Sequence, residues 1–109
     1  LADRARHLGA RLLAGLRAIS HPAILEVRGK GLLIGMELDP ALLSARDCCL
    51  RLMERGILTK DTHDTVVRFA PPLVISQAEL DGALEAIGTV FACLPVPRAG
   101  AAAPDRLRA

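Results

Sequence analysis

Aromatic side chains are almost absent from this chain, and their absence constrains both its core and its partners. The sequence has two phenylalanines, no tryptophan and no tyrosine. The core must therefore be built mainly from aliphatic side chains. Single-stranded nucleic acid is usually bound by stacked aromatic residues beside a basic groove, and a formal net charge of +2 provides no such basic cluster. We therefore expect no nucleic-acid partner.

Long apolar runs and metal-binding cysteine patterns are also missing. No run approaches the length of about 18 apolar residues that crosses a bilayer, so we expect no membrane partner. The three cysteines are Cys48, Cys49 and Cys93, and they form no CxxC or Cys/His metal spacing. An odd count without such spacing is typical of a reduced, intracellular chain, and we expect a cytoplasmic location. We interpret Cys48 and Cys49 as helix packing residues.

Three helices are predicted from apolar residues at steps of three and four. The first apolar stripe already includes Leu1, which predicts a helix that begins before residue 1 and ends at His21-Pro22. For the second helix, Asp39 is predicted as the N-cap, Pro40 as the first helical residue and Gly56 as the residue that ends it. The next turns of this second helix are predicted to run through Leu42, Leu43, Arg46, Leu50 and Met53. The third helix opens with a capping box of Ser76 and Glu79 and continues to Leu94.

Four strands lie between these helices. Residues 23–28 and 32–38 predict an antiparallel hairpin around a turn at 29–31, with Leu25 and Val27 on one face of the first strand. Residues 57–60 and 65–69 predict two more strands, joined by a polar turn at 61–64. This order predicts an α+β fold, with a small, mainly antiparallel sheet covered on one face by helices. We assign residues 1–94 to one domain and 95–109 to a disordered tail.

Most candidate sites have simple structural interpretations. Gly29-Lys30-Gly31 lacks the pattern of a phosphate-binding loop, because a strand rather than a helix follows it. His63 lies in the polar turn beside Asp61 and Asp64. A metal or base role is conceivable there, but a solvated turn histidine is the simpler interpretation, and we predict no metal site.

Arg68 is the exception, because it interrupts an apolar strand. Side chains alternate along a strand, so Val67 and Phe69 share one face and Arg68 projects from the other. An arginine there suits bidentate binding of a carboxylate. From the pattern alone, a strand arginine held in a structural ion pair is the favoured interpretation.

Two segments resemble class III aminotransferases, which are fold-type I pyridoxal-phosphate enzymes. The run VRGKGLL at 27–33 is similar to their hairpin. The segment GILTKDTHDTVVRFAPPLVI at 56–75 looks very like the matching segment of ornithine aminotransferases, most specifically in RFAPPL. The resemblance covers residues 1 to about 94 and implies the fold of the family's C-terminal small domain. Asp64 departs from the glycine found in some members.

The resemblance implies transfer of the δ-amino group of ornithine to 2-oxoglutarate. The implied cofactor, pyridoxal phosphate, forms a Schiff base with a lysine of the large domain, which this sequence lacks. The implied partners are that large domain, the amino-acid and 2-oxo-acid substrates, and further copies in a homodimer or larger assembly.

For Arg68, the resemblance implies binding of the α-carboxylate of glutamate or 2-oxoglutarate. While ornithine is bound, the implied partner of Arg68 is a large-domain glutamate. No residue here is assigned a catalytic or cofactor-binding role, and we expect the chain alone to be inactive.

Two alternatives stay open at this point. One is a sister enzyme of the same class, acting on acetylornithine or 4-aminobutyrate. The other is a non-enzymatic α+β interaction module, since the sequence contains no catalytic set. An upstream coding segment that carries the Schiff-base lysine would favour the enzyme, and a start codon at Leu1 would favour the module.

Overall fold

The computed structural model describes residues 2–62, 65–72 and 74–95. Within them the chain forms three α-helices and a four-stranded antiparallel sheet, which confirms the predicted α+β class. The elements are α1 Ala2–Arg17, β1 Ile24–Lys30, β2 Leu33–Leu38, α2 Ala45–Met53, β3 Lys60–Thr62, β4 Val66–Phe69 and α3 Gln77–Ala92. The predicted tail lies outside the described residues from Val96 onward, as do Leu1, His63 and Asp64.

The sheet has the strand order β1-β2-β4-β3, and every neighbouring pair is antiparallel. Strand β2 shows the predicted alternation: Ile34, Met36 and Leu38 are fully buried, and Leu33 is exposed. The buried side chains face the helices, where α1 packs on β1 and β2, and α2 packs on β3 and β4. The opposite face of the sheet carries no helix among the described residues, and we call it the open face.

The first hairpin turns later than predicted. Gly29 and Lys30 belong to β1, and Lys30 pairs with Leu33. The turn is therefore Gly31-Leu32, with Gly31 at a φ of 59°. Tight hairpin turns favour such positive φ values, which glycine adopts without steric cost. The predicted shared face of Leu25 and Val27 is also wrong, because the register shifts between Ile24 and Glu26 and leaves Leu25 exposed.

Helix α1 buries its predicted stripe at Leu8, Leu12 and Leu16 but ends at Arg17, four residues before His21. The Ile19 amide bonds the Leu16 carbonyl at 3.2 Å, which tightens the last turn. Pro22 restricts only its immediate neighbour, so tertiary contacts set this end. One of them is the 2.9 Å bond from Arg17 Nε to the Val27 carbonyl.

The prediction that α2 begins at Asp39 is wrong. The Asp39 carboxylate accepts from the Ala41 amide at 3.0 Å. The Asp39 carbonyl accepts from the amides of Leu42 and Leu43, which closes a turn. Ser44 is the N-cap, with its hydroxyl 3.0 Å from the Asp47 amide. The buried stripe of this helix is Ala45, Cys48 and Leu52. Leu50 and Met53, which were predicted to lie along the helix's inner turns, are exposed.

Gly56 ends this helical segment as predicted, at a φ of 79°. Its amide bonds the Met53 carbonyl, and the Ile57 amide bonds the Leu52 carbonyl, which is the Schellman pattern. This use of the Ile57 amide is one reason why the predicted strand at 57–60 is wrong. Strand β3 begins only at Lys60, and Asp61 and Thr62 extend it into the predicted polar turn.

Helix α3 has the predicted capping box, with reciprocal bonds between Ser76 and Glu79 at 2.9 and 3.0 Å. It is held against α1 by Arg11, whose Nε and Nη2 donate to the two Asp81 carboxylate oxygens at 2.6 and 2.8 Å. This hydrogen bonding lowers the pKa of the Asp81 carboxyl from its ordinary value.

A close approach between α1 and the hairpin turn gives a testable consequence. A Cβ at Gly9 would overlap the Gly31 carbonyl oxygen, whereas a Cβ at Gly82 in α3 would meet nothing within 4 Å. We expect Gly9→Ala to lower the free energy of unfolding by about 1–3 kcal/mol through overpacking. Gly82→Ala should be neutral or raise it by up to about 1 kcal/mol. Urea unfolding measures both, and a neutral Gly9→Ala would contradict the packing.

The cysteines give a second consequence. Burial raises the pKa of the Cys48 thiol to about 12, and Cys93 is exposed. Alkylation requires the thiolate. We expect iodoacetamide to modify Cys93 in the folded chain and to leave Cys48 unmodified, with both modified in urea, as measured by mass spectrometry. Equal labelling of both residues in the folded chain would contradict the burial.

Candidate functional site

Arg68 lies on the open face of the sheet, as its place in the strand predicts. Its neighbours Val67 and Phe69 are buried, at 0% and 4% exposure, and Arg68 itself is exposed. The two apolar side chains fix the orientation of β4, because turning Arg68 inward would expose both of them and bury a guanidinium. The position of Arg68 is therefore determined by the core.

The sheet register aligns Arg68 with other cations. Gly35 pairs with Arg28 on one side and with Arg68 on the other, and Lys60 pairs with Arg68 from β3. Directly paired residues of antiparallel strands project from the same face. The open face therefore carries a row of Arg28, Gly35, Arg68 and Lys60 across all four strands. We call it the basic row.

Charge compensation in this row is uneven. Arg28 lies 3.4 Å from Glu26 Oε1 and 3.6 Å from Glu37 Oε1. The residues that the structure describes offer no ion pair to Arg68 or to Lys60. The structural ion-pair interpretation of Arg68 therefore finds no support among them. Since Gly35 has no side chain, the guanidinium of Arg68 is accessible from the direction of β2.

Lys60 is the feature that the sequence analysis missed. It lies at the end of the predicted strand 57–60, which carries no predicted site residue. Spacing alone does not reveal its position, because the parity of paired residues depends on the register of the hairpin: after the register shift in β1, β1 and β2 pair residues at odd separations, such as Arg28 with Gly35, whereas β3 and β4 pair them at even ones. The register is needed to place Lys60 beside Arg68, and only the structure supplies it.

The two described histidines make structural contacts. His21 Nδ1 accepts from the Ala23 amide at 3.0 Å, and its ring packs on Phe91. His7 Nε2 lies 3.1 Å from Gln77 Oε1. His63 is outside the described residues. No group of three or more His, Cys, Asp or Glu side chains is placed to hold a metal in the parts of the chain that are described.

A cavity of about 440 Å³ lies beside the end of β4. Its wall is formed by Phe69 and the segment that follows it, by α1 and α3, and by residues 56–58. None of the residues that line it carries a titratable side chain. Its chemistry therefore does not fit a phosphorylated cofactor, which would require cations or hydroxyl groups at the phosphate.

Comparison with known proteins identifies the relatives of this chain. Residues 1–91 match the profile of the Aminotransferase class-III family. The chain is 55% identical over 92 residues to an ornithine aminotransferase of Staphylococcus epidermidis, and 55% identical over 91 residues to that of Bacillus subtilis. In both cases the matched region covers 84% of this chain and 22% of the relative.

Solved structures agree with this result. The ornithine δ-aminotransferase of Plasmodium falciparum superposes with a TM-score of 0.78 at 37% identity. An acetylornithine aminotransferase from Elizabethkingia anophelis gives a TM-score of 0.77 at 34% identity. Each comparison covers 83% of this chain and 24% of the solved chain. In its relatives, the region therefore forms part of a larger enzyme.

The open face has a consequence for the chain in isolation. Leu33 is 55% exposed there, and Val66 is half-buried. We expect the chain alone to associate through this apolar surface, so that analytical ultracentrifugation shows a mass that rises with concentration. Leu33→Lys should shift the chain toward monomer. A well-folded monomer of the unmodified chain at all concentrations would contradict this prediction.

Proposed function

We propose that this chain, which belongs to the class-III aminotransferase family, forms the C-terminal part of an ornithine aminotransferase. The complete enzyme transfers the δ-amino group of ornithine to 2-oxoglutarate, giving glutamate semialdehyde and glutamate. One observation carries the proposal: an exposed arginine without an ion pair among the described residues, in a chain 55% identical to enzymes of that name. The sister enzyme that acts on acetylornithine is the second candidate.

In this proposal Arg68 binds the α-carboxylate of 2-oxoglutarate and of glutamate. A guanidinium presents parallel N–H donors that match the two oxygens of a carboxylate. The carboxylate is bonded directly to the carbon that exchanges its oxo group for an amino group. Fixing it therefore also orients the reacting carbon. Because Arg68 lies on a strand between two paired neighbours, its backbone provides a rigid support for this contact.

Class III aminotransferases depend on pyridoxal phosphate, but the described residues do not form its site. Lys30 and Lys60 lie exposed on strands of the sheet, and the cavity beside the end of β4 is lined by residues without titratable side chains. We propose that the cofactor and its Schiff-base lysine belong to the large domain of the complete enzyme. That domain would cover the open face, and the enzyme would assemble as a homodimer or larger oligomer in the cytoplasm. The chain alone is then inactive.

Replacing Arg68 in the complete enzyme tests its role. We expect Arg68→Ala to reduce kcat/KM for the 2-oxoglutarate half-reaction about 100- to 1,000-fold, because charge-assisted hydrogen bonds contribute about 1.5–3 kcal/mol each. Arg68→Lys keeps the charge and loses the bidentate geometry, so its effect should be intermediate. The ornithine half-reaction should change by less than about tenfold. Stopped-flow absorbance of the cofactor follows each half-reaction separately.

A matched control lies in the same basic row. Arg28→Ala removes an arginine whose glutamate partners are already in place, and it should leave both half-reactions near their original rates. Equal damage to both half-reactions by Arg68→Ala, or no damage to either, would contradict the proposed role. Activity of the complete enzyme on ornithine against acetylornithine separates the two candidate functions.

A further inference from the structure

The pairing of Lys60 with Arg68 brings two like charges together without compensation. Their Cα atoms are in direct register between β3 and β4, and directly opposed like charges destabilise a sheet. Successive residues alternate between faces, so Asp61, which pairs with the buried Val67, projects away from the pair. Glu37 lies on β2 opposite Val66, diagonal to Arg68, but its carboxylate is 3.6 Å from the Arg28 guanidinium. Glu26 also lies beside Arg28. Among the described residues, no carboxylate forms an ion pair with Arg68 or Lys60.

We propose that Lys60 is a second cation of the carboxylate site built around Arg68, and that it favours binding of the anionic oxo acid over ornithine. This inference rests on the proposed function. 2-Oxoglutarate carries two negative charges, whereas ornithine carries a net positive charge at neutral pH. A fixed cation beside the site therefore attracts the acceptor and repels the donor.

The two cations have different roles because their side chains differ. The planar fork of Arg68 fixes the orientation of the carboxylate, whereas an ammonium on a flexible stem acts as a point charge. Lys60 begins β3, the strand at the edge of the sheet, and its side chain is exposed. It can therefore reach toward an anion held by Arg68. Lys60 sets the strength and selectivity of binding, and Arg68 sets the geometry.

Substitutions of Lys60 in the complete enzyme test this inference. A unit charge removed at about 6 Å from a carboxylate weakens binding about 3- to 100-fold at effective dielectric constants between those of water and a protein surface. We expect Lys60→Gln to raise KM for 2-oxoglutarate by about tenfold, with kcat nearly unchanged and KM for ornithine unchanged or lowered. Lys60→Arg keeps the positive charge, so KM for 2-oxoglutarate should stay near its original value. The effect should shrink as salt concentration rises.

Lys30→Gln is the matched control. Lys30 projects from the same face, since it lies two positions from Arg28 on β1, at the opposite edge of the sheet. Two strand spacings of about 4.8 Å separate β1 from β4, where Arg68 lies, and this separation exceeds the screening length of about 8 Å at physiological ionic strength. The control removes the same charge from the same face, and we expect it to leave KM for 2-oxoglutarate unchanged.

Three results would overturn the inference. In the first, Lys60→Gln leaves KM for 2-oxoglutarate unchanged. In the second, it raises both KM values equally. In the third, it lowers the melting temperature without affecting KM, which would assign Lys60 to a structural ion pair with another part of the enzyme. Arg68→Lys, measured in parallel, separates the two proposals. If only Arg68→Lys impairs the oxo-acid half-reaction, the role of Lys60 fails alone; if neither does, the proposed function fails too.

Discussion

The burial of Val67 and Phe69 beneath the helices is the constraint on which the rest of this structure depends. These two side chains are almost completely buried, and strand geometry then requires the residue between them to project from the other face. That requirement places a guanidinium on the open face without any contact designed for it there. The core therefore positions the candidate site, and exposing the two apolar side chains would cost several kcal/mol.

The register of the sheet transmits this constraint to the neighbouring strands. Met36 of β2 pairs with Val67, and both are fully buried. Because β2 is held in this register, Gly35 must lie beside Arg68, and β3 brings Lys60 to its other side. A shift of one residue would invert every face and bury the charges. The basic row is thus a consequence of core packing in three strands rather than of local sequence.

Family membership and physical structure contribute different parts of the functional argument. The comparisons show that the chain belongs to the class-III aminotransferase family, and the chain spans 22% of the curated relatives described above. The geometry shows a row of basic side chains across the open face of the described sheet. The proposal follows from combining the two: this chain supplies a carboxylate-binding arginine, and the chemistry of the cofactor takes place on another domain.

The sequence by itself determined the α+β class, the alternation that exposes Arg68, the capping box at Ser76 and the stop at Gly56. Each of these depends on residues close together in the chain, where periodicity and capping chemistry act directly. The start of α2 is also local, since it follows from the N-cap at Ser44. Tertiary structure decided the bulge beside Leu25 and the late start of β3. It also decided the pairing of Lys60 with Arg68. These features depend on which amides and carbonyls are already bonded, and on which strands meet, and neither is encoded in local spacing.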